Sequence, residues 1–239
     1  MPGAWLILPT YNEVENIAPI VRAAREQLRA GDHILIVDDN SPDGTGAVAD
    51  ELAQEIEDVE VLHRPGKQGL GRAYLAGFAH ALAHQAELLL EMDSDFSHDP
   101  ADLPRLIAAA EQGADLVLGS RYVVGGDVTD WGLLRRLISR GGSWYARIVL
   151  GVRVQDLTGG FKCFRRTVLE ALDLDHVHAD GYGFQIELTY RTIQAGFNVV
   201  EIPIVFRDRR VGESKMNARI ALEAVWKVPA LRRRRGANL

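Results

Sequence analysis

A single cysteine, Cys163, leaves the 239-residue chain without an internal disulfide and without a cysteine-based zinc cluster. No apolar run approaches the ~18–20 residues that a transmembrane helix requires. The opening MPGAWLILPT has no basic n-region and no small-residue cleavage site, and its apolar stretch is too short for a secretory signal. A cytoplasmic location is the expectation. Internal repeats, low-complexity segments and a clear linker are also missing, which favours one large domain over two small ones. Neither the phosphate-binding-loop spacing nor the dinucleotide fingerprint occurs, and the glycine-rich Gly66–Gly71 (GKQGLG) matches neither. Kinase-like and hydride-transfer readings lose ground accordingly.

Charge is present but uneven. The chain carries −6 overall, yet residues 207–235 hold eight Arg and two Lys against Asp208, Glu213 and Glu223. That end is strongly basic and the rest strongly acidic, so an anionic partner is expected there: a phosphate, a nucleic acid or an anionic membrane. Arg232–Arg235 lack the interleaved aromatics of a nucleic-acid-binding surface, so nucleic acid is not the expected partner.

The first half alternates strand and helix patterns. Trp5–Leu8, His33–Val37, Val59–Leu62, Leu88–Met92 and Asp115–Leu118 read as apolar strands. Ile17, Val21, Ala24 and Leu28 mark a helix, with Asn16 as its expected N-cap and Pro19 in its first turn. Val48–Ile56 and Gly71–Leu82 read as further helices, and another opens near Pro100. Strands apolar throughout imply an α/β fold with a parallel sheet covered on both faces. Later segments read as a helix over Leu133–Leu150, a short strand over Phe161–Phe164, a helix over Phe184–Gln194, and an edge strand over Val199–Phe206 containing Pro203.

Ligands of such sheets bind beyond the carboxyl ends of the strands. The polar residues just after four strands therefore matter most: Pro9 to Glu13, Asp38 to Asn40, Asp93 to Asp95, and Gly119 to Arg121. Asp93 and Asp95, at i and i+2, suit a hard divalent cation such as Mg²⁺, which takes few carboxylates plus substrate phosphates. A general acid–base pair is the rival reading. Asp99 precedes Pro100 and suits a helix cap. Asp38 and Asp39 can accept hydrogen bonds from a base or ribose.

The segments ILPTYNEVENI, IVDDNSPDGTG, GKQGLGRAYLAGF, EMDSDFSHDP, LGSRYVVGG, DLTGGFKCF, DGYGFQIEL and RVGESKM occur in that order. Together they resemble glycosyltransferase family 2, with its GT-A (Rossmann-like) nucleotide-diphospho-sugar transferase fold and mostly parallel central sheet. Within it the chain most resembles the polyprenyl-phosphate (dolichol-phosphate) mannosyltransferase group. The match runs to about residue 217. A catalytic domain over 1–217 and an amphipathic C-terminal helix with a basic tail over 218–239 are expected.

The resemblance implies that Pro9, Tyr11 and Glu13 line the nucleotide pocket, with Val37 and Asp39 beside the guanine and ribose. Asp93 and Asp95 would hold Mg²⁺ or Mn²⁺ against the diphosphate, and Ser94 would pack on the nucleotide. Arg121, Arg209 and Lys215 would contact phosphates. Arg135 and Ser139 match positions that hold the acceptor phosphate, with Arg140 adding charge. Asp95, Arg121 and Arg135 are the expected catalytic residues. Some relatives place a Gln where this chain has Ser97, so the third metal ligand stays open between Ser97 and water. The implied reaction moves mannose from GDP-mannose to a polyprenyl phosphate lipid with inversion. A UDP-glucose-dependent glucosyltransferase and an inactive regulatory subunit are the alternatives.

A lipid phosphate monoester has a second pKa near ~6 and is already nucleophilic at neutral pH. Family members that attack with a sugar hydroxyl often show a Glu-Asp pair near Tyr182–Glu187, and processive members carry a Gln-x-x-Arg-Trp motif. Both are absent here, which favours the lipid phosphate. Asp156 remains as a base candidate, against a purely architectural role in its loop. From Asn217 to Lys227 one polar stripe (Arg219, Glu223, Lys227) faces apolar Ile220, Leu222, Val225 and Trp226, with Pro229 as an interruption. That helix reads either as core-packed or as an interfacial helix on an anionic membrane surface. Many relatives add transmembrane helices at this end, so a membrane-embedded protein partner is also expected.

Overall fold

The computed structural model describes residues 3–129, 131–174, 177, 181–208 and 228–232. Its centre is a seven-stranded sheet in the order β3-β2-β1-β4-β7-β5-β8. The strands are β1 (Ala4–Thr10), β2 (His33–Asp38), β3 (Val59–His63), β4 (Leu88–Glu91), β5 (Leu116–Ser120), β7 (Lys162–Arg165) and β8 (Val199–Pro203). A separate parallel pair joins β6 (Asp127–Val128) to β9 (Val205–Phe206). The expected Val199–Phe206 strand is thus broken at Ile204, whose N–H reaches the Ser120 carbonyl instead.

The alternation along each strand divides the core in two. Trp5, Ile7, Leu35 and Val37 face one side, with Tyr74 and Phe78 of α3 (Leu70–Ala83), Leu150 of α5 (Leu133–Leu150) and Phe184 of α7 (Tyr182–Gln194). Leu6, Leu8, Ile34 and Ile36 face the other, with α1 (Val14–Gln27), α2 (Thr45–Glu55) and α4 (Leu103–Glu111). Both faces are therefore apolar and covered, as uninterrupted apolar strands require.

The main sheet is mostly parallel, as expected, and its exception is β7. This strand lies antiparallel between β4 and β5, with Glu91 opposite Lys162 and Leu116 opposite Phe164. The remaining main-sheet pairs are parallel, and Pro203 does fall on the edge strand β8.

Two local expectations at α1 are corrected. The helix begins at Val14, with Glu13 rather than Asn16 at the cap. Asn12 adopts the left-handed region (φ 58°) and turns the chain early. The N–H groups of Glu13 and Val14 are then taken by Thr45 Oγ1 at 2.9 Å and Asp43 Oδ2 at 3.1 Å. Orphan donors of the first turn are satisfied from a neighbouring loop, so no local cap is needed. Pro19 consequently sits inside the helix rather than in its first turn, and removes the N–H that would have bonded the Glu15 carbonyl.

At the C-terminal end, residues 228–232 are helical, and the expected interruption of the preceding stripe at Pro229 falls at the border of the described residues. Val228 is buried in the core and Leu231 packs against it, while Arg232 Nη1 donates to the Val149 carbonyl at 2.7 Å. The stripe from Asn217 to Lys227 lies outside the described residues. Among the described residues no helix is long and apolar enough to cross a membrane.

Candidate active site

The parallel register of β1, β2 and β4 brings Thr10, Asp38 and the Asp93–Asp95 turn to one rim. The Asp39 N–H donates to the Thr10 carbonyl at 3.1 Å, and Ser94 Oγ to the Pro9 carbonyl at 3.2 Å. These bonds lock three strand ends together.

One side of the rim carries two cations among its acids. Arg64, just after β3, pairs with Asp39 and extends to Gln68 Oε1 at 3.2 Å. Burial pushes the Asp39 carboxyl up, against the pull of that guanidinium. Lys67 Nζ stands 4.1 Å over the centre of the Tyr11 ring. Glu13 accepts from Asn16 Nδ2 at 2.8 Å. Val37 is fully buried and its side chain belongs to the core, so only its backbone faces this side. Asp38 closes a turn, accepting from Ser41 Oγ at 2.5 Å.

The centre of the rim is acidic. Asp93 is half-buried and Asp95 buried. Phe96 takes a left-handed conformation (φ 60°), curling the turn so that Asp95 Oδ1 accepts from the Ser97 N–H at 3.0 Å. Tyr74 Oη lies 3.5 Å from Asp93 Oδ1. Burial drives the Tyr74 pKa well up, reinforced by Asp93, Glu91 and Asp95, so all three acids act on one phenol. The phenol stays protonated and donates.

The Asp93 N–H points to His98 Nδ1 at 3.4 Å. His98 is buried, stacked on Phe161 with ring centres 5.0 Å apart. Burial lowers its pKa to about 4 despite Asp95, with Arg121 adding to the fall, so it is neutral at physiological pH. Asp99 is set apart, capping the turn at Pro100 by accepting from the Ala101 N–H at 3.0 Å.

The donor set fits a hard cation. Asp93 and Asp95 supply carboxylates, and the buried Ser97 Oγ has no hydrogen-bond partner among the described residues. A Cβ added at Gly160 would lie 3.9 Å from both Asp93 carboxylate oxygens, so glycine there leaves that side of the carboxylate uncrowded. An all-oxygen set suits Mg²⁺ or Mn²⁺.

Behind this turn, Glu91 and Lys162 are fully buried opposite each other on β4 and β7. Burial pushes Glu91 up to about 7, Lys162 opposing. Burial pulls Lys162 down to about 8, Glu91 opposing. Lys162 Nζ donates to the Gln185 carbonyl at 2.9 Å and to Thr189 Oγ1 at 3.0 Å, tying α7 to the sheet beneath the acids. Lys162→Met removes the charge that holds Glu91 down, so the folded-state pKa of Glu91 rises further above its unfolded value. A raised carboxyl pKa contributes stability at low pH that is lost as pH rises through it. The variant is therefore expected to lose stability between pH 6 and pH 9 more steeply than the parent. The loss should be about 1.4 kcal/mol per unit of further rise, read from urea unfolding at each pH.

The other side of the rim holds Arg121. It is buried and bound bidentately to Asp156, with Nε and Nη2 each 2.7 Å from a carboxylate oxygen. Burial alone would raise the Asp156 pKa, but Arg121 holds it below the usual value. Asp156 thus anchors Arg121, and both of its carboxylate oxygens are engaged by that guanidinium. Tyr122 Oη bonds Ser139 Oγ at 2.6 Å. Arg135 stacks 4.1 Å over Trp131 and pairs with Asp208 at 2.8 Å. Arg135 and Ser139 are neighbours on α5, which also presents exposed Leu137, Ile138, Trp144 and Ile148. Arg209 and Lys215 lie outside the described residues.

Arg64, Lys67, Tyr74, His98, Tyr122 and Trp131 were not singled out from the sequence. Arg64 and Lys67 follow β3, where only the glycine spacing of Gly66–Gly71 was read and not the charges beside it. His98 lay within the acidic turn but had no local pattern to mark it.

The description "Glycosyl transferase family 2" matches residues 5–173. The chain belongs to glycosyl transferase family 2. This family 2 enzyme is 50% identical over 224 residues to the polyprenol monophosphomannose synthase of Mycolicibacterium smegmatis, covering 93% of this chain and 84% of that one. It is 48% identical over 222 residues to the undecaprenyl-phosphate mannosyltransferase of Micrococcus luteus, covering 93% and 90%. Among solved structures, it resembles glucosyl-3-phosphoglycerate synthase from Mycobacterium tuberculosis in complex with Mn²⁺, UDP and glucosyl-3-phosphoglycerate. That likeness has a TM-score of 0.73 at 20% identity, over 96% of this chain and 80% of the other. At that identity it establishes the GT-A fold of this glycosyltransferase.

Proposed function

We propose that this glycosyltransferase moves mannose from GDP-mannose to a polyprenyl monophosphate with inversion at the sugar carbon. The observation that carries the lipid acceptor is on α5. Arg135 and Ser139 share that helix with exposed Leu137, Ile138, Trp144 and Ile148. A phosphate held by the first pair would place its hydrocarbon tail along the second set. The two mannosyltransferase relatives, by name, act on polyprenol and undecaprenyl phosphate.

In this reading Pro9, Tyr11, Glu13, the Val37 backbone, Asp39 and Ser94 line the nucleotide side, with Arg64 and Lys67 adding positive charge. Asp93 and Asp95 hold Mg²⁺ or Mn²⁺. When bound, such a cation neutralises the charge developing on the leaving diphosphate. Arg121 is held rigidly between donor and acceptor sides by Asp156, and Arg209 and Lys215 supply further phosphate contacts. Arg135, Ser139 and Arg140 hold the acceptor phosphate against repulsion from the donor. With Asp156 engaged by Arg121, no general base is invoked, in keeping with an acceptor already ionised above a pKa of about 6. In-line attack on an α-linked donor gives a β-linked product. The enzyme would sit peripherally on the cytoplasmic face of a membrane, the apolar residues of α5 and the basic C-terminal end meeting anionic lipid.

The test is transfer of radiolabel to the organic phase by the purified chain with polyprenyl phosphate and Mg²⁺. Label from GDP-mannose, abolished by EDTA, is expected. Label from UDP-glucose alone would support the glucosyltransferase instead, and no label from either beside an active control would overturn both.

A further inference from the structure

At the opposite end of the sheet, away from the rim, three elements bring together imidazoles and a carboxylate that the transfer reaction does not use. His33 opens β2, Glu60 lies near the start of β3, and His80 and His84 stand one turn apart at the end of α3. One donor atom each from Glu60, His80 and His84 lies within 4.8 Å of the others. His80 Nε2 is 3.0 Å from Glu60 Oε2. Trp5 stacks on His33 with ring centres 4.4 Å apart and packs beside both other histidines.

We infer that Glu60, His80 and His84 form a binding site for a late first-row divalent ion, Zn²⁺ foremost. Four features support this. The donor set is two imidazoles and a carboxylate, which suits Zn²⁺ and not Mg²⁺. Histidines at i and i+4 present to one side of a helix. His84 Nδ1 lies 2.8 Å from the His80 carbonyl, so it carries the proton and Nε2 keeps its lone pair for a ligand. Finally, His33 Nδ1 is buried without a hydrogen-bond partner among the described residues and stands 3.5 Å from Glu60 Oε1, while His80 approaches the other carboxylate oxygen. A small turn of the Glu60 carboxylate toward an ion would make His33 its outer-shell donor.

The span is compatible. Tetrahedral zinc with ligands at about 2.0–2.1 Å separates neighbouring donor atoms by about 3.3 Å. The Glu60–His80 pair is already near that separation, and His84, exposed at the helix end, needs only a side-chain adjustment. Water completes the fourth position. The ion would tie β3 to the end of α3, whose other end carries Tyr74 against Asp93.

The experiment is Zn²⁺ titration of the tag-free full chain after EDTA stripping and desalting, with calorimetry for stoichiometry and thermal melting as a second readout. One ion per chain and a raised Tm are expected. Both should persist in the Asp93→Asn/Asp95→Asn double variant and disappear in His84→Ala and His80→Ala. His33→Ala should weaken binding by about 10- to 100-fold, as loss of an outer-shell partner does. Circular dichroism of His84→Ala, altered only at an exposed helix end, guards against misfolding. Absence of a stoichiometric site overturns the inference. So does binding indifferent to both histidine variants, or displacement of Zn²⁺ by a modest excess of Mg²⁺.

Discussion

Asp95→Ala is expected to abolish mannosyl transfer, by about 10³-fold or more, while the chain stays folded. The magnitude follows from the charge a donor diphosphate develops on leaving, for which one lost electrostatic contact already costs about 10²–10³ in rate. Asp95 has a second task, because its Oδ1 accepts from the Ser97 N–H at 3.0 Å. Losing that bond costs about 1 kcal/mol. Asp95→Asn separates the two effects: its amide oxygen still accepts from Ser97, but the negative charge is gone. It is expected to match the parent in urea unfolding and Asp95→Ala in the transfer assay. His98 does not confuse the comparison. Its pKa is already lowered to about 4, and Asp95, with Asp156 after it, is what holds it up, so removing the Asp95 charge leaves the imidazole neutral. Single-turnover transfer and metal-dependent GDP binding, measured on both variants, decide the matter. Unchanged turnover in either variant would remove Asp95 from the proposed cation site.

The parts of this site that were legible in the sequence are those set by local chemistry. Apolar runs such as Leu88–Leu90 announce buried strands, and the polar residues immediately after them must fall on one rim because parallel strands share a direction. The separation of Asp99 from Asp93 and Asp95 was legible for a similar reason: a cap before proline is decided within three residues. What stayed hidden is set by contacts between distant residues. Thr45 and Asp43 replace a local cap for α1 from about thirty positions away. The antiparallel insertion of β7 places Lys162 opposite Glu91, which no periodicity in either strand specifies. The Trp5, His33, Glu60, His80 and His84 cluster draws on four elements, each of which looks ordinary alone. Asp156 shows the limit most clearly, since a carboxylate in a glycine-rich loop can read as base or as anchor, and its partner lies 35 positions away.

That partner makes Arg121→Ala the substitution with the largest expected cost to stability. Arg121 and Asp156 have side chains 4% and 0% exposed, joined bidentately, and the Asp156 oxygens also accept from the Arg121 N–H at 3.0 Å. Removing one member of such a pair leaves a buried, uncompensated charge and costs about 3–5 kcal/mol. The pH dependence should change sign with it. In the parent, the Asp156 pKa is depressed, so its contribution is present above the unfolded carboxyl pKa and is lost as pH falls through the lower folded value. Without Arg121, burial becomes the dominant influence and the folded pKa rises above the unfolded one. The variant is then relatively more stable at pH 5 than at pH 8, as urea unfolding at the two pH values would record. Arg121→Met with Asp156→Leu removes both charges and is expected to recover most of the lost stability, because paired apolar groups replace a buried ion pair at little cost. If the pair serves only the fold, this double variant transfers mannose normally. If Arg121 is placed by Asp156 to serve the reaction, the double variant is stable and inactive, which is the outcome we expect.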